Sequence, residues 1–349
     1  MALEPLPLGD TLGFFGLPAD LRAAPLGRGL IHRTLTLAQG TSPEYVLQEI
    51  NTRVFADPGL LDANLRAISA AFRVHHPEAA FVHPVASPGG ATQYRHPASG
   101  RYFRIFPFVT NTVSHDTVSD ADTAFEAARQ FGLFARRLSC LPIDAIRPSL
   151  PRFHDLDLRV AQFERSLREG NPDRIATCAA LIQRARAQLG IAEGYRAALA
   201  SGALIPRLMH HDTKISNVLF DARSGKGICV VDLDTVMPGV VLSDIGDMLR
   251  TYVCPVDENH RDLNDIAIRP EVHTAIAAGY LDGMGDVLTG GERALFDFSG
   301  KFMIFMQALR FLTDHLNDDV YYGAAYPGQN RDRAANQLTL LERFSACLL

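Results

Sequence analysis

The chain has 349 residues, 47% of them hydrophobic and 21% charged, which is the composition of an ordinary globular protein with one large or two medium domains. Its net charge of −5 argues against the basic face that nucleic acid or an anionic membrane normally requires, so we expect neither as a partner. The five cysteines stand singly, and no signal-peptide pattern or membrane-length apolar run occurs, so we expect a cytoplasmic protein that is a monomer or a weak dimer.

Strand-like segments and one helix make up the first hundred residues. The apolar runs at 29–39 and 44–50 predict two strands, joined by the turn-forming sequence GTSP. Residues 59–75 place leucine, isoleucine and phenylalanine at helical spacing and predict an amphipathic helix. Two further runs, at 79–87 and 101–109, predict strands. The pattern predicts an antiparallel sheet with a helix packed on it.

From about residue 111 the pattern becomes helical. Ser119 and Asp122 have the spacing of a capping box, and one apolar face continues from Phe125 to Leu138. We place the boundary within 108–116, which predicts an α+β fold with a sheet-rich lobe at 1–110 and a larger helical lobe at 111–349. Further helices are predicted over about 155–168, 173–200, 270–283, 291–317 and 330–348.

One β-hairpin interrupts the helical part, in the sequence NVLFDARSGKGICVVDLD at 217–234. With a turn at about 221–226, paired residue numbers sum to about 448, which sets Asn217 opposite Val231 and beside Asp232. Asp212, in the loop before the first strand, reaches the same end. An amide and a carboxylate oxygen suit Mg²⁺ with substrate phosphates, and a second carboxylate can take a proton from a hydroxyl. This spacing is typical of a phosphoryl-transfer site.

A purely structural interpretation of the same residues is the alternative. In that interpretation His210 is a satisfied core histidine, and the two acids cap loops. In either case we expect His210 to brace the loop by hydrogen bonding and to do no chemistry itself.

The blocks HHDTKISN (210–217) and VVDLDTVMPGVVLSDIGD (230–247) resemble the catalytic motifs of the aminoglycoside phosphotransferase and choline kinase superfamily. Within it, the chain is most similar to the N-acetylhexosamine 1-kinases. The similarity extends over nearly the whole chain and includes YVLQEINTRVFADP, FGLFARRL, FHDLDLR and ALRFLTDHLNDDVYY. The resemblance implies the bilobal protein-kinase-like fold, with ATP and Mg²⁺, and phosphorylation of the anomeric C1 hydroxyl of GlcNAc or GalNAc.

The same resemblance implies roles for individual residues. Asp212 is the catalytic base, Asn217 and Asp232 are the Mg²⁺ ligands, and the strand at 101–109 forms the hinge against adenine. His210, Asp234 and Asp244 support the site. The nucleotide contacts are Gly27, Gly29, Gln48 and Arg53, and the acceptor contacts are His32, Phe153, His154, Met237, Arg310 and Tyr321.

Two positions depart from the kinase pattern. No lysine precedes Lys214, so Gln48 and Arg53 stand near the place of the phosphate-binding lysine on the third strand. His32 stands where the nucleotide loop of the family has asparagine. The alternatives are a kinase of another small alcohol, such as an aminoglycoside, choline or homoserine, and a pseudokinase that binds nucleotide without turnover. The acceptor, its anomer, the preferred nucleotide and the pathway stay open.

Overall fold

The N-terminal part of the chain is an antiparallel sheet with two helices. The computed structural model describes residues 5–26 and 31–348. The elements of this part are α1 (Leu8–Phe15), β1 (Arg22–Pro25), β2 (Arg33–Gln39), β3 (Ser42–Glu49), α2 (Pro58–His75), β4 (Tyr94–Arg95) and β5 (Tyr102–Pro107). The five strands pair in the order β1-β2-β3-β5-β4, and each neighbouring pair is antiparallel.

The remainder of the chain is mainly helical and contains short strands around one loop. The elements are β6 (Thr112–Val113), α3 (Ala121–Leu138), α4 (Leu156–Glu169), α5 (Pro172–Thr177), α6 (Ala179–Arg186), α7 (Gly190–Ala200), β7 (Arg207–Met209), β8 (Val218–Asp221), β9 (Gly227–Val230), β10 (Met237–Gly239), α8 (Leu242–Tyr252), α9 (Pro270–Met284), α10 (Gly290–Ala294), α11 (Phe296–Leu316) and α12 (Gln329–Cys347). Strand β7 pairs with β10, and β6, β8 and β9 form a three-stranded sheet.

Each of the two parts of the chain has its own apolar core. Leu12 and Phe15 of α1 pack on Leu35 and Leu37 of the sheet. The larger core gathers the buried faces of α3, α8, α9 and α11, and it also takes in the C-terminal half of α2. The predicted α+β architecture, with an antiparallel N-terminal sheet and a helical C-terminal region, is therefore confirmed.

Helices α3 and α9 approach each other closely because glycines stand at their crossing. A methyl group at Gly279 would lie 2.2 Å from the carbonyl oxygen of Phe125, and one at Gly283 would lie 2.4 Å from that of Arg129. Only glycine fits such contacts. The opposite side of α3 carries Phe131 against the ring of His210, so this packing positions the loop that follows β7.

Most predicted elements are present, and four predictions were wrong. Residues 79–87 form no strand, because Pro84 has no N–H to donate and only Val85 bonds the sheet, through the Ile105 carbonyl. The N-cap of α3 is Asp120, whose carboxylate accepts from Thr123 N–H, and not Ser119. The predicted helix at 173–200 is three helices, and the one at 291–317 is divided at Leu295; neither break is marked by proline.

Helix α8 was not predicted. Its sequence does carry helical spacing, at Leu242, Ile245, Met248 and Leu249. Ten of its eleven residues are nevertheless buried, because polar residues such as Asp244 and Asp247 face the loop after β7 and not solvent. Within 5–26 and 31–348, no helix combines the length and the apolar composition needed to cross a membrane.

Candidate active site

The loop between β7 and β8 carries the predicted catalytic residues. In the following hairpin, Val218 faces Val230 and Leu219 faces Cys229, so the paired numbers sum to 448 as predicted before a bulge shifts the register. Val231 N–H donates to the Asn217 carbonyl at 2.9 Å. The predicted opposition of Asn217 and Val231 is confirmed.

Asp212 lies in this loop with both carboxylate oxygens engaged. Lys214 Nζ lies 2.9 Å from Oδ1, and Asn217 Nδ2 donates to Oδ2 at 3.3 Å and to the Asp212 carbonyl at 2.8 Å. Burial alone would raise the pKa of Asp212, but the Lys214 charge and these hydrogen bonds outweigh it and hold that pKa below its ordinary value. Asp212 is therefore ionised at neutral pH and able to accept a proton.

Asn217 and Asp232 have the chemistry of a magnesium pair. Because Asn217 Nδ2 donates to Asp212, the amide oxygen Oδ1 points elsewhere and can serve as a metal ligand. Asp232, at the end of the hairpin, is exposed and adopts a left-handed backbone (φ 61°, ψ 65°). In the described part of the chain no three His, Cys, Asp or Glu side chains form a metal-holding group. Two oxygen ligands fit Mg²⁺, which takes its other ligands from water and phosphates.

The charge around Asp232 predicts how Mg²⁺ binding responds to pH. Surrounding protein atoms displace water from the Asp232 carboxylate, although part of the residue is exposed, and the carboxylates of Asp234 and Asp212 lie nearby. These effects raise the pKa of Asp232 to about 6. Below that pH a proton competes for the ligand, so the apparent Mg²⁺ affinity should fall by up to about tenfold per pH unit, and above it the affinity should be constant. Calorimetric Mg²⁺ titration with a non-hydrolysable ATP analogue at pH 5–8 measures this. The phosphates of the nucleotide also titrate, but they do so equally with wild type and with Asp232→Asn, so this variant is the control. Equal pH profiles of the Mg²⁺ affinity for the two proteins would contradict the prediction.

Two aspartates of α8 hold the loop between β7 and β8, which we call the catalytic loop. The Asp244 carboxylate accepts from the backbone N–H groups of His210 and His211, at 3.0 and 2.8 Å. Asp247 accepts from Thr213 N–H at 2.9 Å. His210 is fully buried; its Nε2 donates to the Val231 carbonyl, and its Nδ1 accepts from Asp212 N–H. Both ring nitrogens of His210 are therefore used in holding the loop.

His211 is a second buried histidine of the loop, with φ of 66°. Its Nε2 donates to the Met237 carbonyl and its Nδ1 lies 3.3 Å from His154 Nδ1. Burial lowers the pKa of His211 to about 4, so the ring is neutral. A methyl group at Gly239 would lie 2.4 Å from His211 Cε1, so glycine leaves the space that this ring occupies.

We expect Gly239→Ala to destabilise the protein by about 1–3 kcal/mol, because the new methyl group overpacks a site with no free volume. Thermal unfolding by circular dichroism measures the effect as a lower melting temperature. Gly190→Ala is the matched control, since a methyl group there meets nothing within 4 Å. Equal melting temperatures for the two variants would show that the His211 ring moves aside freely.

The predicted nucleotide contacts are only partly described. Gly27 and Gly29 lie outside the described residues. Arg53 is exposed in the turn after β3. Gln48 lies on β3, where its Oε1 accepts from Arg104 Nε at 3.0 Å and its Nε2 donates to Thr34 at 3.4 Å. The glutamine at the expected lysine position is thus bonded to protein partners at both ends.

The structure brings most of the predicted acceptor residues together. The Arg310 guanidinium lies over the ring of Phe153 at 5.1 Å and that of Tyr321 at 5.8 Å, and Phe153 stacks on His154 at 4.3 Å. His154 reaches the catalytic loop through His211, and Met237 is buried on β10 behind the same ring. The ring of Tyr322 also lies 5.4 Å from the Arg310 guanidinium. We call Phe153, His154, Arg310, Tyr321 and Tyr322 the acceptor cluster.

His32 does not join the acceptor cluster. Its Nε2 lies 2.6 Å from Asp234 Oδ2, and its Nδ1 accepts from Asn51 N–H at 3.0 Å. Both ring nitrogens therefore face protein atoms. Asp234, predicted to support the site, is buried between His32 and Arg104.

Sequence reasoning missed four residues of the site, and only some carried a signal. Lys214 is one of three lysines in the chain and stands two residues after Asp212. Asp247 closes the quoted block DIGD. His211 and Arg104 had no distinguishing spacing; a charged residue within the apolar strand RYFRIFPFV was the one available hint of Arg104.

Comparisons with known proteins show the fold and the family of the chain. The chain resembles a microcompartment-associated aminopropanol kinase (TM-score 0.68, 16% identity, 97% of each chain covered). It also resembles a spectinomycin phosphotransferase in complex with ADP and spectinomycin (0.62, 11%, 99% of each) and a choline/ethanolamine kinase family protein from Mesorhizobium loti (0.56, 17%, 97% and 94%). The APH model, described as the phosphotransferase enzyme family, matches residues 22–288. Because that match covers more than half of the sequence, the chain belongs to the APH phosphotransferase enzyme family.

Proposed function

We propose that this phosphotransferase is an ATP- and Mg²⁺-dependent kinase that phosphorylates the anomeric C1 hydroxyl of an N-acetylhexosamine, GlcNAc or GalNAc. The family membership carries the small-molecule phosphotransferase activity. The observation that supports an uncharged sugar as the acceptor is the position of Arg310 within the acceptor cluster.

The acceptor cluster already contains a cation of its own. The guanidinium of Arg310 lies 5.1–5.8 Å from the centres of three aromatic rings, those of Phe153, Tyr321 and Tyr322. A group of rings at such distances is what recognises a quaternary ammonium or another cationic ligand. Since Arg310 occupies that place, the rings do not offer a cage to choline or to an amino group.

The local charge also disfavours a cationic acceptor. Burial first, and then the charges of neighbouring groups including Arg310 and Arg159, hold the pKa of His154 well below its ordinary value. Arg159 donates to the Phe153 carbonyl at 2.7 Å and so stays at the edge of the cluster. A polycationic aminoglycoside would meet like charge here, whereas an uncharged sugar would not.

An uncharged acetylated sugar matches what the cluster offers. Arg310 donates hydrogen bonds and suits hydroxyl and acetamido oxygens, which accept them. The side chain of Tyr321 is 69% exposed, so its ring presents an apolar face to solvent beside those donors. A pyranose ring has one apolar face and a polar edge, which is the combination that such a pocket binds.

The catalytic loop suits an anomeric hydroxyl. Bound Mg²⁺, held by Asn217 and Asp232, would neutralise charge on the transferred phosphoryl group. Asp212 orients the acceptor hydroxyl and takes its proton as the new P–O bond forms. An anomeric hydroxyl is more acidic than an ordinary alcohol, so a carboxylate whose pKa is lowered by Lys214 remains an adequate base for it. Lys214 keeps Asp212 ionised and in place.

The proposal is tested by ADP release with Mg-ATP and a panel of GlcNAc, GalNAc, choline, 1-aminopropan-2-ol, spectinomycin and kanamycin, with ³¹P NMR of the product. We expect turnover on the N-acetylhexosamines and a C1 phosphate. Arg310→Gln should lower kcat/KM for the sugar about 10- to 100-fold, since a hydrogen bond to a charged group contributes about 1.5–3 kcal/mol. The exposed Arg165→Gln is the control and should leave kcat/KM unchanged.

Two other outcomes would contradict the proposed sugar kinase activity. Turnover only on choline, the amino alcohol or an aminoglycoside would keep the family and reject the sugar. ATP binding without turnover on any acceptor would identify a nucleotide-binding protein without catalysis.

A further inference from the structure

A buried ion pair joins the N-terminal sheet to the catalytic region. Arg104 of β5 binds the Asp234 carboxylate through two parallel bonds, Nη1 to Oδ1 and Nη2 to Oδ2, each 2.6 Å long. Only 4% of either side chain is exposed. The two residues stand 130 positions apart, so the pair is a contact between the sheet and the hairpin end.

The arginine is fixed on its sheet side as well. Its Nε donates to Gln48 Oε1 at 3.0 Å, and β3 and β5 place these two residues opposite each other. His32 supplies a third sheet-side contact, because its Nε2 donates to Asp234 Oδ2 while its Nδ1 accepts from Asn51 N–H. Both Asp234 oxygens thus accept from protein donors, and Oδ2 accepts from two.

The aspartate end of the pair lies next to the candidate metal ligand. Asp234 belongs to a single turn of 3₁₀ helix, Leu233–Thr235, that begins directly after Asp232. Asp232 has φ of 61°, a conformation that costs free energy in a residue other than glycine and persists only where the surroundings impose it. Ser149 Oγ donates to the Asp234 carbonyl at 2.5 Å and completes the clamp on this turn.

Stability alone does not explain such a pair. A buried ion pair contributes little net stability, because removing two charges from water costs about as much as their attraction returns. A bidentate arginine–carboxylate pair does fix distance and direction. We infer that Arg104 is a positioning residue, which sets the orientation of Asp232 toward Mg-ATP from the sheet through Asp234. This inference rests on the proposed Mg-ATP dependence of the site.

In this role Arg104 connects the nucleotide-binding sheet to the metal site in a chain with no lysine before position 214. Gln48, at the expected lysine position, then holds Arg104 and not a phosphate. Because Arg104 links the two, a movement of the sheet would also move Asp232.

Binding of a fluorescent ATP analogue with and without Mg²⁺ tests the inference without using an acceptor. In Arg104→Met we expect the Kd measured with Mg²⁺ to rise about 10- to 100-fold, the usual effect of losing a group that orients a metal ligand. The Kd measured in EDTA should change less than about twofold. Arg184→Met removes another bidentate pair, with Glu342, away from the site, and should change neither value.

The double variant Arg104→Met/Asp234→Asn separates positioning from folding. Removing both charges leaves none unpaired, so the melting temperature should return close to that of wild type. If Arg104 positions Asp232, the loss of Mg²⁺-dependent affinity remains in the double variant. Recovery of that affinity together with stability, or its retention in Arg104→Met, would overturn the inference. Wild-type protein that fails to bind Mg-ATP at all would instead overturn the proposed function and this inference with it.

Discussion

Replacing Asp212 with asparagine should lower kcat by a factor of about 10²–10⁴, the usual contribution of a positioned general base. The amide has nearly the same shape as the carboxylate and keeps an acceptor oxygen for Lys214 or Asn217, whose contacts with Asp212 are 2.9 and 3.3 Å. It cannot accept the proton of the attacking hydroxyl. The affinity for Mg-ATP should therefore stay within a few-fold of wild type. Steady-state ADP release and calorimetric nucleotide binding give the two quantities.

The control for this substitution is Asp286→Asn, which changes an exposed aspartate in the turn after α9. It should leave kcat unchanged. A kcat for Asp212→Asn within about tenfold of wild type would mean that the carboxylate takes no part in proton transfer. Loss of nucleotide binding in the same variant would point to a structural role in the loop.

The second large effect is expected for Asp232→Asn. A bound divalent cation contributes several kcal/mol to the stabilisation of a phosphoryl transition state, and each 1.36 kcal/mol is tenfold in rate. We therefore expect a loss of about 10³-fold or more in kcat/KM at ordinary Mg²⁺ concentrations. Part of the activity should return at high Mg²⁺, because Asn217 still offers one ligand. A Mg²⁺ titration of the rate in wild type and variant measures both effects.

Thermal unfolding without Mg²⁺ distinguishes this loss from misfolding. The carboxylates of Asp234 and Asp212 disfavour the charged form of Asp232 in the metal-free protein. Removing that charge should leave the melting temperature unchanged or raise it. A markedly lower melting temperature, or an unchanged Mg²⁺ dependence of the rate, would contradict the assignment of Asp232 as a metal ligand.

The catalytic hairpin shows what local sequence can predict. Strand alternation and a polar turn fix the pairing of a short antiparallel hairpin, so the register sum of 448 followed from the sequence. It is observed for the pairs Val218–Val230 and Leu219–Cys229. The proximity of Asp212 to Asn217 followed for the same reason. Their roles as base and metal ligand remain predictions, which the substitutions above address.

The failures of prediction had both local and long-range causes. Helix α8 has a periodic apolar face in its sequence, but its polar residues are buried as well, because Asp244 and Asp247 bind the loop after β7. Asp120 displaced Ser119 as the cap of α3, because adjacent side chains compete for the same N–H groups and periodicity does not choose between them. At 79–87 the apolar composition predicted a strand, but Pro84 has no N–H to donate and only Val85 bonds the sheet.

The sequence by itself determined the fold class, the hairpin and the set of residue types at its end, because these depend on spacing over a few residues. Only the tertiary structure decided that Arg104 binds Asp234, that His32 faces the same carboxylate from 202 positions away, and that Arg310 occupies its own aromatic cluster. Such contacts join distant segments, and their energies depend on burial and orientation. No pattern of neighbouring residues carries that information, since it arises only when the sheet packs against the helical part of the chain.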